Sequence, residues 1–259
     1  MSTEEEIKKY IVEIAKTSYM VNFNRKVTEK EIAIILKYLL PRMEKELKEI
    51  KKFSDIEYKI YMKKQANQLL FSPGNVISEV QRVIKDFGIE KMIKAREYKR
   101  LREMELAARF CLANRKIKGD MLMIMPQDSP DIILVLPDDA STKNIVALPM
   151  EIMIVPEIVK VNMATDLPKE LANFIKEKKF KKAYGEIFSL LVGFDFTQEN
   201  LNFNRISEEL NKISNNPYQS IFATFTSSDD GKRMSVIKLY PGVTIRKDYI
   251  LEQEQNLLY

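Results

Sequence analysis

The chain contains no histidine. Without imidazole there is no Ser-His-Asp triad, no Cys-His dyad, no histidine general base and none of the nitrogen ligands that most zinc and transition-metal sites use. Any catalysis has to run on carboxylates, lysines, hydroxyls and a hard metal ion. The one cysteine, Cys111, cannot close an internal disulfide. Among Leu106, Ala107, Ala108 and Phe110 it reads as a structural thiol on an apolar helix side rather than a nucleophile, and a reducing compartment fits. No window approaches the roughly 18 apolar residues needed to span a bilayer. The start, Met1-Ser-Thr-Glu-Glu-Glu, is acidic where a secretory signal would be basic and then apolar. The expectation is a cytoplasmic protein with no membrane segment. Glycine is scarce, 7 in all, and Gly185 and Gly193 stand in neither a P-loop nor a dinucleotide-binding pattern.

What is present in excess is positive charge. The formal net charge is +5 and it is unevenly spread. From Lys91 to Lys118 ten Lys and Arg face Glu97, Glu103 and Glu105, a local +7; from Lys169 to Lys182 six lysines face Glu170 and Glu177, a local +4. Such clusters suit a polyanionic partner, nucleic acid first, although a solvated helix face in a lysine-rich protein would look the same.

The apolar spacing predicts helices over about 4–20, 28–52 and 54–70. Thr28 followed by Glu31 forms a capping-box pattern at the start of the second, and Pro41 is expected to kink or split it. Ser72-Pro73-Gly74-Asn75 reads as a turn, followed by a helix from Val76 to Phe87 that ends at Gly88. These segments make residues 1–95 a helical N-terminal region. Residues 96–259 read as an α/β domain: a helix to about 116, strands at 121–125, 131–136 and 144–155, a helix from about Pro168 to Tyr184, a buried strand at 188–196, a helix at 204–214, and a hairpin of 220–226 with 234–240. The first three strands are close enough to pair as a meander, and the helix near 168–184 is long enough to be a crossover. The expected fold class is α/β, a central mixed sheet with flanking helices.

Glu151 is the sharpest anomaly, because it interrupts the apolar run from Ile145 to Val155. A carboxylate in such a strand is costly unless it is paired, hydrogen-bonded or bound to a cation. Asp131 follows Ser129-Pro130 where a turn enters a strand. On the preceding helix Leu101, Met104, Ala107, Ala108, Cys111 and Leu112 form one stripe; Glu105 borders it, whereas Glu103 points away and should be solvated. Asp195 is a spare acid at a strand end.

Helix Glu105, Ser129-Pro130-Asp131 at a strand start and Met150-Glu151-Ile152 in a following strand resemble the pattern of the PD-(D/E)XK, or restriction-endonuclease-like, nuclease superfamily. The superfamily core, a helix, three strands, a helix and a strand, matches the order read for residues 96–196. The resemblance implies hydrolysis of phosphodiester bonds in nucleic acid, with Asp131 and Glu151 holding Mg²⁺ or Mn²⁺, Glu105 assisting as a further ligand, and a homodimer among the expected assemblies. One position departs from the pattern. The lysine two residues after the strand acid is Met153 here, which cannot orient water or stabilise a charged transition state. Some members supply that lysine from the following helix, and Lys179 or Lys182 is placed to do so among Lys176, Lys178, Lys179, Lys181 and Lys182. Otherwise the module binds nucleic acid or a protein partner without cutting. Each acid also has a structural alternative: Asp131 can cap its turn, Glu151 can pair with a buried lysine or face solvent at an edge, and Glu105 can bridge to Arg109.

Overall fold

A computed structural model describes residues 3–23, 25–49, 70–114, 122–124, 130–137, 145–156, 166–180, 188–194, 201–226, 233–242 and 244–250. The helix expected at 54–70 lies outside these residues up to its last position, and so do Lys182 and Asp195. The chain forms two compact units, Met1–Val76 with Arg115–Leu148 and Ile77–Asn114 with Pro149–Tyr259. This division differs from a cut at residue 95, because the strands that follow residue 120 group with the N-terminal helices.

In the first unit, helix α1 (Thr3–Phe23) buries Ile7, Ile11, Ala15 and Tyr19, and helix α2 (Glu29–Glu49) buries Ile35, Leu39 and Met43. Spacing by four residues stacks these side chains into one ridge per helix. Both ridges pack with Leu70 of strand β1 (Leu70–Phe71), Ile124 of β2 (Leu122–Ile124), and Ile133 and Val135 of β3 (Ile132–Pro137). These strands pair antiparallel in the order β1-β2-β3, with Met123 opposite Leu134. Pro41 does not split α2, since the buried Leu39 and Met43 anchor the helix on either side of it.

The Thr28–Glu31 capping box forms. The Glu31 N–H donates to Thr28 Oγ1 at 3.3 Å and the Thr28 N–H to Glu31 Oε2 at 2.8 Å. Arg25 adds two bonds to the same carboxylate at 3.0 and 2.6 Å, and its guanidinium lies 4.7 Å from the Tyr19 ring centroid. Burial pushes the Glu31 carboxyl up, but Arg25 and Thr28 outweigh it and hold the group below its ordinary range. A depressed folded-state value stabilises the fold above the ordinary carboxylate range, and that contribution is lost as pH falls through the lowered value. Glu31→Ala should therefore cost about 1–2 kcal/mol at neutral pH. Denaturant midpoints of the two proteins should converge in acid, and a gap that stayed constant would remove the ion pair from the account.

Ser72 caps helix α3 (Pro73–Phe87), its Oγ accepting the Asn75 N–H at 3.2 Å, so the Ser-Pro-Gly-Asn cluster becomes the first helical turn. Gly88, at φ 85°, ends it. Helix α4 (Ile89–Lys94) and a short 3-10 turn (Arg96–Tyr98) lead into α5 (Lys99–Asn114). Leu101 of α5 packs with the buried Val80, Val83 and Met92.

The second unit has a mixed sheet. Strand β4 (Ile145–Val155) begins in the first unit and belongs to the second from Pro149. It runs parallel to β5 (Phe188–Phe194), which runs parallel to β6 (Tyr218–Thr226); β7 (Arg233–Tyr240) and β8 (Thr244–Ile250) follow antiparallel. Helix α6 (Leu167–Lys179) is the crossover between β4 and β5, and α7 (Phe203–Lys212) the one between β5 and β6. Leu171, Ala172 and Ile175 of α6 and Ile206 and Leu210 of α7 pack with Met153, Val155, Leu190, Val192, Ala223 and Ile237. The expected hairpin is the β6–β7 pair; β1, β8 and α4 are additions. The result is an α/β fold with a mixed sheet flanked by helices, and no helix among the described residues is long and apolar enough to cross a membrane.

Candidate functional site

Side chains alternate along a strand, so Glu151 shares its face of β4 with Met153 and Val155, the face on which α6 and α7 pack. Glu151 pairs in register with Leu190 and is only 1 % exposed. Left without a partner there, the carboxylate would be expensive. Lys179, the last residue of α6, supplies one: its Nζ donates to Glu151 Oε2 at 2.9 Å.

The helix explains why this lysine and not its neighbours turns inward. Leu171, Ile175 and Lys179 are spaced by four, so Lys179 continues the buried stripe of α6, its stem among apolar side chains and its amine at the sheet. Lys176 and Lys178 are exposed. Met153, where the superfamily pattern would place the lysine, is 7 % exposed within the apolar core. A cationic group there would displace packing, whereas the lysine from α6 arrives beside Glu151 without disturbing that core.

Glu105 goes elsewhere. Its Oε1 accepts the Arg109 Nε–H at 2.9 Å and also pairs with Arg109 Nη2, the i+4 bridge offered by the helix. Helix α5 lies on the opposite side of the sheet from Glu151. Gly193 alternates with Val192, which faces α6 and α7, and the direction of a Gly193 Cβ leads to Leu106 of α5. Phe110 of α5 makes an edge contact with Phe222 on that same face, ring centroids 4.9 Å apart. The structure therefore does not bring Glu105 and Glu151 together.

The expectation that Glu103 is solvated is corrected. Glu103 is buried and bonded to Arg100 at 3.2 Å, with Lys99 at 3.6 Å. Helix α5 is covered over a wider arc than its apolar stripe suggests, by the sheet and by the α3–α4 segment at Leu101. Cys111 is fully buried, and burial pushes its thiol far above the ordinary range, consistent with a packing role.

Asp131 is partly exposed, at the bend that opens β3, and Pro130 before it is buried. It belongs to the first unit and Glu151 to the second. Among the described residues no group of three or more Cys, Asp and Glu side chains stands close enough to hold a metal ion. The described arrangement thus brings together two of the five expected site residues, Glu151 and Lys179. Comparison with protein-family models, with curated proteins and with solved structures found no match to the chain.

Proposed function

We propose that this chain is a nuclease-like protein of restriction-endonuclease type that hydrolyses phosphodiester bonds in nucleic acid, with the Glu151–Lys179 pair as its working centre. The observation that supports this reading is the 2.9 Å contact between a strand carboxylate and a lysine delivered by the following helix. It supplies the pair of groups that the superfamily pattern asks for, by the route open to a chain with Met153. The Lys179 ammonium would orient the attacking water and offset charge on the phosphate. Glu151 would contribute a carboxylate oxygen to a divalent cation.

The donors fit a hard cation in kind but not as the full expected set. Glu105 is excluded by its position across the sheet, and Asp131 belongs to the other unit, its role resting on the sequence pattern alone, so Glu151 is the carboxylate of the expected set that the working centre contains. Bound Mg²⁺ would lower the pKa of a coordinated water and neutralise phosphate charge. A cytoplasmic site of action belongs to the same proposal, supported by a lone, buried cysteine.

Glu151→Gln and Asp131→Asn, both near-isosteric, should each lower Mg²⁺-dependent cleavage of labelled DNA or RNA by at least about 100-fold, with folding checked by circular dichroism. Cleavage that survives both substitutions removes the assignment. A second reading, a nuclease-fold module that binds without cutting, is favoured by one feature. The charge on Glu151 is already balanced by Lys179, so no cation is needed to keep it buried. Salt-dependent nucleic-acid binding with no calorimetric uptake of Mg²⁺ or Mn²⁺ would establish that reading instead.

A further inference from the structure

The last four carbonyls of a helix have no partner within the helix, and Lys179 carries one of them at the end of α6. The Tyr218 hydroxyl donates to the Lys179 carbonyl at 3.3 Å. Tyr218 is itself firmly held. It is the first residue of β6, opposite Phe188 in the parallel ladder, and is 3 % exposed. Its N–H donates to Asn216 Oδ1 at 3.0 Å, and its ring lies 5.8 Å from that of Phe180, the C-cap of α6. The strand start thus grips the end of α6 twice, through the hydroxyl on the carbonyl and through ring contact at the cap.

We infer that Tyr218 is a positioning residue: its hydroxyl fixes the last turn of α6 through the Lys179 carbonyl and so sets where the Lys179 amine stands against Glu151. The inference rests on the reading above in taking that pair as the working centre, but the tether can be measured without activity. A helix terminus loses order within its final turn, and a side chain projecting from that turn inherits the loss. An amine that must meet a buried carboxylate at hydrogen-bond distance is therefore sensitive to one bond on its own carbonyl.

The test is Tyr218→Phe in the full chain, which keeps the ring and deletes only the hydroxyl. Lysines are acetylated with limiting acetic anhydride and quantified by peptide mass spectrometry, with the exposed Lys176 and Lys178 as internal references. Reactivity of Lys179 relative to those two should rise roughly 2- to 10-fold, the factor that corresponds to one net hydrogen bond. Ser207→Ala is the control. It deletes the 2.6 Å bond from Ser207 Oγ to the Leu239 carbonyl in the same unit and should leave the ratio unchanged. An unchanged ratio in Tyr218→Phe, or an equal rise in Ser207→Ala, overturns the inference. Where wild type cleaves nucleic acid, Tyr218→Phe should lower kcat with KM unmoved. A wild type that cleaves nothing ends the nuclease reading, and the labelling ratio still decides the tether.

Discussion

Lys179→Met should destabilise the protein by about 3–5 kcal/mol, while the double replacement Glu151→Leu with Lys179→Met should cost little or add stability. Methionine matches the lysine stem in length and packs with the same apolar neighbours, so the single change removes the ammonium and little else. What remains is a carboxylate 1 % exposed on β4 that has lost the partner 2.9 Å away. Lys179 keeps 16 % of its side-chain surface open, so solvent reaches the pair only from the lysine side and relieves little of the cost. The double variant carries no buried charge at this site and should recover, because an apolar pair of similar volume avoids the desolvation that an ion pair has to offset. Urea midpoints of the four proteins in the cycle give the coupling directly. A double variant as stable as wild type would mean that folding does not require the pair, which leaves function as the reason for its presence. A double variant as unstable as Lys179→Met would make the pair a structural necessity and weaken the nuclease proposal.

The pair was half visible in the sequence. Glu151 stood out because a charge in an apolar strand contradicts its surroundings, but the sequence narrowed its lysine only to Lys179 or Lys182; the extent of α6 and the burial of Leu171 and Ile175 show why Lys179 turns inward. The two N-terminal helices were legible from their apolar spacing, at Ile7 and Ile11 and at Ile35 and Leu39, as was the capping box at Thr28 and Glu31; the continuation of the ridges through Ala15, Tyr19 and Met43 is added by the structure. Periodicity fails at the next level. The stripe on α5 says that the helix packs but not on which face of the sheet. Glu105, bordering the stripe, looked able to meet Glu151 when the sheet in fact lies between α5 and α6. Strand β8, Thr-Ile-Arg-Lys-Asp-Tyr-Ile, has three charged residues in its middle and no alternation to betray it. Strand β1 is two residues long and is defined by its partner β2 rather than by its own side chains. The grip of Tyr218 on Lys179 joins residues 39 positions apart through a backbone carbonyl, and no side-chain pattern announces a carbonyl.

Gly193→Val should destabilise the protein by roughly 3 kcal/mol, an overpacking cost at the upper end of the usual range. The glycine is needed for its neighbour, since it lies within β5, in register with Ile154 on one side and Thr224 on the other. A glycine inside a strand ordinarily weakens it, and replacement would be expected to help. Here a Cβ would stand 2.5 and 2.7 Å from the two Leu106 methyl carbons and 3.2 Å from its Cγ, too close for the side chain to clear by turning one methyl. Either Leu106 leaves its rotamer or α5 moves off the sheet. Leu106→Ala should then relieve Gly193→Val. Alone it leaves a void and costs about 2 kcal/mol, but with the valine filling that void the pair should couple favourably by about 1–3 kcal/mol. Additive losses would mean that α5 adjusts freely and that the close approach at Gly193 does not fix it. The same cycle tests how separate the two faces of the sheet are. Leu106 and Gly193 meet on the α5 side, Glu151 and Lys179 on the α6 side, so the relative acetylation of Lys179 should be the same in the Leu106 and Gly193 variants as in wild type, measured well below their melting temperatures. A change there would show that the position of α5 reaches the ion pair through the strand it packs on.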